Sequence, residues 1–237
     1  MDGQRKTAAI IVAAGSGKRM QSDVRKQYML LRNKPVLFYS LDTFSKCGII
    51  DEIILVVGSG DISYCKREII DKYKIGKVKS VVAGGAERYI SVRNGLSAVS
   101  DDIALVMVHD GARPFISDEV ICKAHEKLCT CAACVVGVPA KDTIKQTDRD
   151  GKVIATPERA SLWIVQTPQC FEKALLRQAY EALDNADASP GLTDDAMLVE
   201  SYTAEKVFMV EGEYTNIKIT TPEDMLVAES LCKCDKI

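Results

Sequence analysis

The chain has 237 residues, of which 47% are hydrophobic, and its formal net charge is -2 at pH 7. This length suits one large α/β domain, so a single domain over residues 1–237 is predicted. Without excess positive charge the chain has no general attraction for nucleic acid, and any anion site must be local. No apolar stretch approaches the length that crosses a membrane, which predicts a cytoplasmic protein without a membrane partner.

The nine cysteines raise the question of a metal or disulfide framework. The closest approach to a metal motif is Cys129, Cys131 and Cys134 together with the pair Cys232 and Cys234. Zinc motifs pair two Cys-x-x-Cys units or add histidines, and neither pattern is found here. We therefore predict reduced thiols that mostly pack in the core, and no dedicated metal site.

The first element in chain order is an apolar run at residues 8–13, which predicts a buried strand. Gly15 and Gly17 follow it, and then the cations Lys18, Arg19 and Lys26. Glycines let backbone N–H groups approach phosphate oxygens, and nearby cations neutralise the remaining charge. The segment therefore predicts a loop that binds the phosphates of a nucleotide.

Two better-known phosphate loops do not fit this segment. A P-loop needs four residues between its glycines and then Gly-Lys-Ser/Thr, whereas Gly15 and Gly17 are separated by one residue and Lys18 is followed by Arg19. The dinucleotide fingerprint requires a third glycine where Met20 stands. An NAD-binding oxidoreductase is accordingly disfavoured.

Strand and helix patterns then alternate along the chain. Continuously apolar strands indicate a parallel sheet covered by helices on both faces, which predicts a doubly wound, mostly parallel, Rossmann-like α/β fold. In such a sheet the loops at Gly15, Gly84, Gly85 and Asp110 converge beyond the carboxyl ends of the strands. The predicted strands are residues 8–13, 52–57, 78–82, 103–108 and 132–138, and the predicted helices are residues 36–46, 61–73, 87–97 and 118–127.

The alternation stops over about residues 139–169, where Asp150 and Gly151 form a typical hairpin turn. We interpret this segment as a β-arm that leaves the main sheet. Thr221, Pro222 and the two acidic residues after them are a strong helix start near the C-terminus. Between the arm and that closing helix, the predicted helices are 172–183 and 193–201, and the predicted strands are 207–210 and 217–219.

Taken together, these motifs resemble the 2-C-methyl-D-erythritol 4-phosphate cytidylyltransferase family over nearly the whole chain. That resemblance implies a CTP-dependent transferase of non-mevalonate isoprenoid synthesis, in which the acceptor phosphate attacks the α-phosphorus directly. Such a reaction needs alignment and charge stabilisation rather than a side-chain nucleophile. The segments that carry the resemblance are residues 13–20, 26–27, 84–85 with Arg88, 108–115, 142–145, 166–169 and 216–218.

By the same resemblance, the catalytic cations are Arg19, Lys26 and Lys218, which surround the triphosphate. Mg²⁺ is expected to be bound mainly through the CTP phosphates, because Mg²⁺ keeps several waters and uses substrate oxygens. Some family members carry an acidic residue at the position of Ala86, so a base contact there would use the backbone. The residues implied in nucleotide binding are Ala13, Ala14, Gly15, Ser16, Gly17, Lys18, Gly84, Gly85, Ala86, Ser91, Asp110 and Gly111.

For the polyol phosphate acceptor, the resemblance implies Asp110, Arg113 and Thr143 near the hydroxyls and Arg159 and Thr167 at the phosphate. In the family the last two come from the neighbouring subunit, so the arm is expected to form a homodimer with composite active sites. His109 is interpreted as a structural residue beside Asp110.

Three alternatives stay open at the level of sequence. Ribitol-5-phosphate cytidylyltransferase would share the CTP loop and differ around the acceptor, but residues 142–145 and 158–163 look more like the methylerythritol family. A nucleotide-binding protein without turnover is disfavoured by the intact Arg19, Lys26 and Lys218. An oxidoreductase lacks its third glycine.

Overall fold

The computed structural model describes residues 5–15, 17, 20, 24–186 and 191–233. Ser16, Lys18 and Arg19, three residues of the predicted phosphate loop, lie outside this described part of the chain. All eight cysteines that the structure describes are free thiols. No helix in the described ranges combines the length and apolar character needed to span a bilayer.

The fold is an α/β sandwich around a central sheet, as predicted, and helices cover both of its faces. The strands are β1 Thr7–Ala13, β2 Leu30–Leu31, β3 Lys34–Pro35, β4 Glu52–Val57, β5 Val78–Ala83, β6 Leu105–Asp110, β7 Ala133–Pro139, β8 Gln146–Thr147, β9 Val153–Ala155, β10 Trp163–Glu172 and β11 Phe208–Glu211. The α-helices are α1 Val36–Lys46, α2 Ile62–Tyr64, α3 Arg88–Ser97, α4 Asp118–Leu128, α5 Lys173–Asp184, α6 Asp195–Tyr202 and α7 Pro222–Lys233.

Seven strands form the central sheet in the order β11-β7-β10-β6-β1-β4-β5. β1 pairs in parallel with both β4 and β6, and its Val12 lies opposite Asp110. β10 is antiparallel to its neighbours β6 and β7, so the sheet is mixed at this point and parallel elsewhere. The parallel strands end at one edge, where their loops meet.

The alternating side chains of β1 divide the core between the two faces of the sheet. Ala9 and Ile11 belong to the cluster that contains residues of α1 and α4, whereas Ala8 and Ile10 belong to the cluster with residues of α3 and α5. Successive residues of a strand point to opposite faces, so a strand buried on both sides reads as a continuous apolar run. This packing explains why the pattern at residues 8–13 predicted the strand.

Most predicted elements are confirmed, with shifted ends. The strand predicted at 103–108 is Leu105–Asp110, so Asp110 is the last residue of a strand rather than part of a loop. The helix predicted at 61–73 contains the short α2 and then a π-helical stretch, Cys65–Asp71. The strand predicted at 217–219 is wrong, because this segment joins no sheet, although the Ile219 N–H donates to the Ala112 carbonyl at 2.9 Å.

The predicted arm is shorter than the sequence suggested. Its hairpin is confirmed as β8 and β9, and Gly151 has a φ of +81° at the turn. The predicted boundary near residue 169 is wrong, because Trp163–Glu172 is β10 and lies inside the central sheet. Polar residues in this strand, including the buried Gln166 and Gln169, interrupt the apolar run by which a buried strand is recognised in a sequence. The segment outside the sheet therefore lies between β7 and β10.

Candidate functional site

A cleft of about 390 Å³ opens at the carboxyl ends of β1, β5 and β6. Ligands of doubly wound sheets bind at this edge. The residues that line the cleft come from the loop after β1, the turn after β5, the end of β6 and two connecting segments. They are Val12, Ala13, Ala14, Gly15, Lys26, Gln27, Gly85, Ala86, Glu87, Arg88, Ser91, Asp110, Ala112 and Lys218.

The loop after β1 is held by the side chain of Gln27, which is buried beneath it. Gln27 Nε2 donates to the Ala13 carbonyl at 2.7 Å and to the Gly15 carbonyl at 3.2 Å. An amide donor on these carbonyls reduces the repulsion that an approaching phosphate would meet. Gly17 has a φ of +67°, a conformation that side chains other than glycine rarely adopt. Among the described residues of the loop, these bonds fix the backbone at Ala13 and Gly15.

The turn after β5 forms the opposite wall of the cleft. The Gly85 N–H donates to Ser91 Oγ at 3.1 Å, and that hydroxyl donates to the Glu87 carbonyl at 3.2 Å. A Cβ at Gly84 would collide with Ala14 Cβ and with Ser91 Oγ, so the two walls approach each other closely at this point. Gly84 itself does not line the cleft, but it sets the distance between the walls.

Asp110 is the centre of a charged network at the floor of the cleft. Lys218 Nζ lies 2.6 Å from Asp110 Oδ2, and Arg88 Nε donates to Asp110 Oδ1 at 3.2 Å. Arg88 also donates to the buried Asp195 at 2.7 Å. Burial alone would raise the pKa of Asp110, but the Arg88 and Lys218 cations hold that pKa below its ordinary value. Asp110 is therefore an anion that fixes Lys218.

A chain of hydrogen bonds beneath Asp110 fixes its backbone. The Asp110 N–H donates to Thr167 Oγ1 at 3.1 Å, and Thr167 Oγ1 lies 3.0 Å from His109 Nδ1. His109 Nε2 lies 3.2 Å from the Arg113 carbonyl, which can only accept. Burial lowers the pKa of His109 to about 4, so the ring is neutral at pH 7. Nε2 then carries the proton and Nδ1 accepts from Thr167.

The hydrogen-bond chain includes Thr167, which was predicted to help hold the acceptor phosphate. Its side chain is buried in β10, and its hydroxyl both accepts from the Asp110 N–H and donates to His109. The hydroxyl's single proton is thus donated to His109, and the role of Thr167 at the acceptor phosphate stays a prediction. His109, interpreted from sequence as structural, has that role here.

Arg113 and Lys26 hold the segment that carries Lys218. Arg113 donates to the Asn216 carbonyl at 2.7 Å, and Lys26 Nζ donates to the Ile219 carbonyl at 2.9 Å. Lys26 and Lys218 therefore come together in one cleft, although 191 intervening residues separate them in the sequence. Arg113 does not line that cleft and acts on the segment from outside it.

Thr143 and Arg159 lie on the arm and are exposed to solvent. Arg159 donates to the Lys141 carbonyl at 3.2 Å, which is also part of the arm. Neither residue lines the cleft of its own chain.

Several of the residues predicted to bind the nucleotide line the cleft together, namely Ala13, Ala14, Gly15, Gly85, Ala86, Ser91 and Asp110. Gly17, Gly84 and Gly111 support its walls without lining it; a Cβ at Gly111 would meet Leu37 and Ala13.

Sequence reasoning assigned no role to Gln27 or Arg88, although both stood in the motifs, and it missed Asp195. Gln27 follows Lys26 directly, and Arg88 follows the glycine turn, so motif position was an available signal for both. Asp195 carried no such signal, because only the fold places the first residue of α6 beside Arg88.

The model of the 2-C-methyl-D-erythritol 4-phosphate cytidylyltransferase family matches residues 7–233. A curated protein of that name from Lachnoclostridium phytofermentans is 50% identical over 232 residues, which cover 96% of this chain and 97% of the relative. Another from Alkaliphilus metalliredigens is 48% identical over 228 residues, with 95% and 92% covered.

Solved structures agree with these relatives. The 4-diphosphocytidyl-2C-methyl-D-erythritol synthase of Anaerococcus prevotii superposes with a TM-score of 0.87 at 38% identity, and 97% of each chain is covered. The 2-C-methyl-D-erythritol 4-phosphate cytidylyltransferase of Thermus thermophilus gives a TM-score of 0.76 at 29% identity, covering 96% of this chain and 99% of that one.

Proposed function

The chain belongs to the 2-C-methyl-D-erythritol 4-phosphate cytidylyltransferase family, and from this premise we propose how its cleft performs the transfer. The reaction joins CTP and 2-C-methyl-D-erythritol 4-phosphate into the CDP-linked methylerythritol and releases pyrophosphate. An oxygen of the acceptor phosphate forms a bond to the α-phosphorus while the bond from that phosphorus to the pyrophosphate breaks. The residue roles below are the proposal.

One observation carries the proposal: a single cleft unites the loop after β1, the Gly85–Ser91 wall, Lys26, Lys218 and Asp110. This set supplies backbone donors, the ammonium groups of Lys26 and Lys218, the Arg88 guanidinium, and the carboxylates of Asp110 and Glu87. Two anionic reactants that must meet in line need cations between them and a fixed geometry, and they need no nucleophilic side chain. The composition of the cleft matches that requirement.

We assign the triphosphate to the side of the cleft formed by Ala14, Gly15, Lys26 and Lys218. Arg19 and Lys18 are proposed to add charge there, on the sequence resemblance alone. Lys218 is held by Asp110 at 2.6 Å, so its ammonium group is positioned before CTP binds. A cation that needs no reorganisation during the reaction stabilises developing charge most effectively.

We assign the cytosine to the wall formed by Gly85, Ala86 and Ser91. The glycine leaves the backbone of this wall accessible, and Ala86 offers only backbone polar groups to the base. Specificity for cytosine over uracil would then depend on backbone donors and acceptors. A comparison of CTP with UTP as substrates tests this assignment.

The carboxylates that line the described cleft are Asp110 and Glu87. Arg88 and Lys218 already contact the two oxygens of Asp110, so the described donors do not form an all-protein cage for a divalent ion. This donor set fits Mg²⁺ bound mainly through the CTP phosphates, with Asp110 as the nearest protein carboxylate. Bound in that way, Mg²⁺ would neutralise charge on the triphosphate.

For the acceptor we propose a site completed by the arm of a second copy of this chain. Thr143 and Arg159 are exposed on the arm, and neither lines the cleft of its own chain. Apolar side chains are exposed on the arm and at its base, with Ile154 62% and Ile164 52% accessible. A homodimer would cover these apolar groups and bring the arm to the partner's cleft.

The activity is tested by pyrophosphate release from CTP in the presence of Mg²⁺ and methylerythritol phosphate. Ribitol 5-phosphate serves as the alternative acceptor, and UTP and ATP serve as alternative nucleotides. We expect turnover with CTP and methylerythritol phosphate. Faster turnover with ribitol phosphate would reject the acceptor assignment, and CTP binding without pyrophosphate release would identify a binding protein.

The composite site is tested by mixing two inactive variants, Lys26→Ala and Arg159→Ala. After subunit exchange about half of the dimers are mixed, and each mixed dimer has one site with both residues intact, so activity should return to roughly a quarter of wild type. If Arg159 served its own chain, every site would lack one residue. Demonstrated exchange without recovery would therefore reject the composite site.

A further inference from the structure

A second group of chemically reactive side chains lies where the end of α1 meets the start of α4. Cys47 directly follows α1, and Asp118 is the first residue of α4. Cys122 is one helical turn after Asp118, so the two side chains share a face of the helix. None of these three residues lines the CTP cleft.

The ligand atoms of this group are close enough to share one metal ion. The sulfurs of Cys47 and Cys122 and a carboxylate oxygen of Asp118 all lie within 4.8 Å of one another, and Cys122 Sγ is 3.9 Å from Asp118 Oδ2. Around tetrahedral zinc, with bonds of about 2.0–2.3 Å, neighbouring ligand atoms are roughly 3.3–3.8 Å apart. Binding an ion therefore requires these ligand atoms to move about 1 Å closer together, and Asp118 and Cys122 are the more accessible residues of the three.

Cys47 is the fixed member of the group. Its side chain is 1% exposed, and its N–H donates to the Thr43 carbonyl at 3.0 Å. Its own carbonyl accepts from Lys77 Nζ at 2.7 Å. Because Cys47 is already ordered, a metal ion would have to order only the side chains of Asp118 and Cys122. This lowers the conformational entropy that binding loses.

One member of the group, Asp118, faces a cavity whose walls favour a cation. Asp118 lines a separate cavity of about 820 Å³ whose walls carry three further carboxylates, Asp42, Glu211 and Glu213. Walls of one sign concentrate ions of the opposite sign. The positive end of α4 disfavours a cation here, but the negative end of α1 meets it and offsets that effect.

We propose that Cys47, Asp118 and Cys122 bind a thiophilic divalent cation of the zinc class, with the remaining coordination position open to this cavity. Two sulfurs and one oxygen select zinc or cadmium over magnesium and calcium, which prefer oxygen ligands alone. The bound ion links α1 to α4, two helices that pack on the same face of the sheet. This site is independent of the proposed CTP chemistry.

The test uses the reduced, full-length protein after removal of metal with a chelator, and Co²⁺ as a spectroscopic probe. We expect one Co²⁺ per chain with a thiolate-to-metal charge-transfer absorption that Zn²⁺ abolishes by displacement. Zn²⁺ at a hundredfold excess over its Kd should raise Tm by roughly 5–10 °C, because it binds only the folded form. Absence of both signals would overturn the proposal.

Variants locate the site. Cys122→Ser and Asp118→Asn should each weaken Co²⁺ binding on the order of tenfold or more, and the second variant retains both thiols. Cys129→Ser is the matched control: it removes an exposed cysteine near the other end of α4 that lies 3.9 Å from His125. If Cys129→Ser abolishes binding while Cys122→Ser leaves it intact, the ion binds elsewhere. Formation of a Cys47–Cys122 disulfide by a chain that binds no Zn²⁺ when reduced would also reject the site.

Discussion

The buried ring of His109 should make the stability of this protein depend on pH between about 4 and 6.5. His109 is fully buried, and burial lowers its pKa to about 4 from an ordinary value of 6.5. Below pH 6.5 the His109 ring is protonated in the unfolded chain, whereas in the folded chain it stays neutral until the pH approaches 4. The stability contributed by the neutral ring is therefore complete above pH 6.5 and is lost as the pH falls.

The size of this effect follows from the two pKa values. The full difference corresponds to about 3 kcal/mol, and about 2 kcal/mol of it should be lost between pH 7.5 and about pH 5. Such a loss is a large part of the stability of an ordinary domain, about 5–15 kcal/mol. Asp110 does not contribute in this window, because its lowered pKa keeps it ionised throughout.

Urea unfolding of wild type and His109→Gln at several pH values measures the effect. The glutamine removes the proton-binding ring, so the variant should be less stable at pH 7.5 but should lose about 2 kcal/mol less on acidification to about pH 5. His125→Gln is the control, since His125 is only partly buried and should leave most of the pH dependence in place. If wild type and His109→Gln lost the same free energy of unfolding on acidification, the reasoning would be refuted.

Three further predictions concern the cleft and the arm. Lys218→Ala should lower kcat roughly a hundredfold, a loss of about 3 kcal/mol of transition-state stabilisation, with a smaller effect on CTP affinity. The control Lys206→Ala changes an exposed lysine and should match wild type, and near-normal turnover of Lys218→Ala at saturating CTP would contradict the proposed role of Lys218. Thr143→Val should raise the KM for methylerythritol phosphate and leave CTP affinity unchanged in calorimetry; equal weakening of both ligands would place Thr143 elsewhere. Gly84→Ala should weaken CTP binding roughly tenfold because its methyl group forces the cleft walls apart, while Gly60→Ala, which has open space, should not; equal CTP affinities would reject the close approach.

Much of the fold was predictable from local pattern. The run at 8–13 and Glu52–Val57 are buried on both faces of a parallel sheet, so their hydrophobicity alone identified them. The helix Val36–Lys46 and the start of α7 at Pro222 were also readable, because side-chain periodicity and helix-start residues are local properties. The position of the glycine loop at the sheet edge followed from the strand before it.

Tertiary structure decided what depends on residues far apart in the chain. β10 enters the sheet between β6 and β7, and its polar residues satisfy partners that the sequence does not reveal, as when Gln169 accepts from the N-terminal amides of α6. Thr167 shows the same limit: its motif indicated a residue near the acceptor phosphate, but only the packing reveals that its hydroxyl bonds to His109 and to the Asp110 N–H.

The candidate site also has a part that the sequence predicted and a part that only the tertiary structure decided. The residue types that suit a triphosphate, such as Gly15 and Lys26, were evident from sequence because phosphate chemistry needs glycines and cations in one short segment. The charged network at the floor of the cleft was not evident from sequence. Lys218 and Asp195 reach Asp110 and Arg88 only because the sheet brings distant segments to one edge, and ion pairing depends on distances that folding alone establishes.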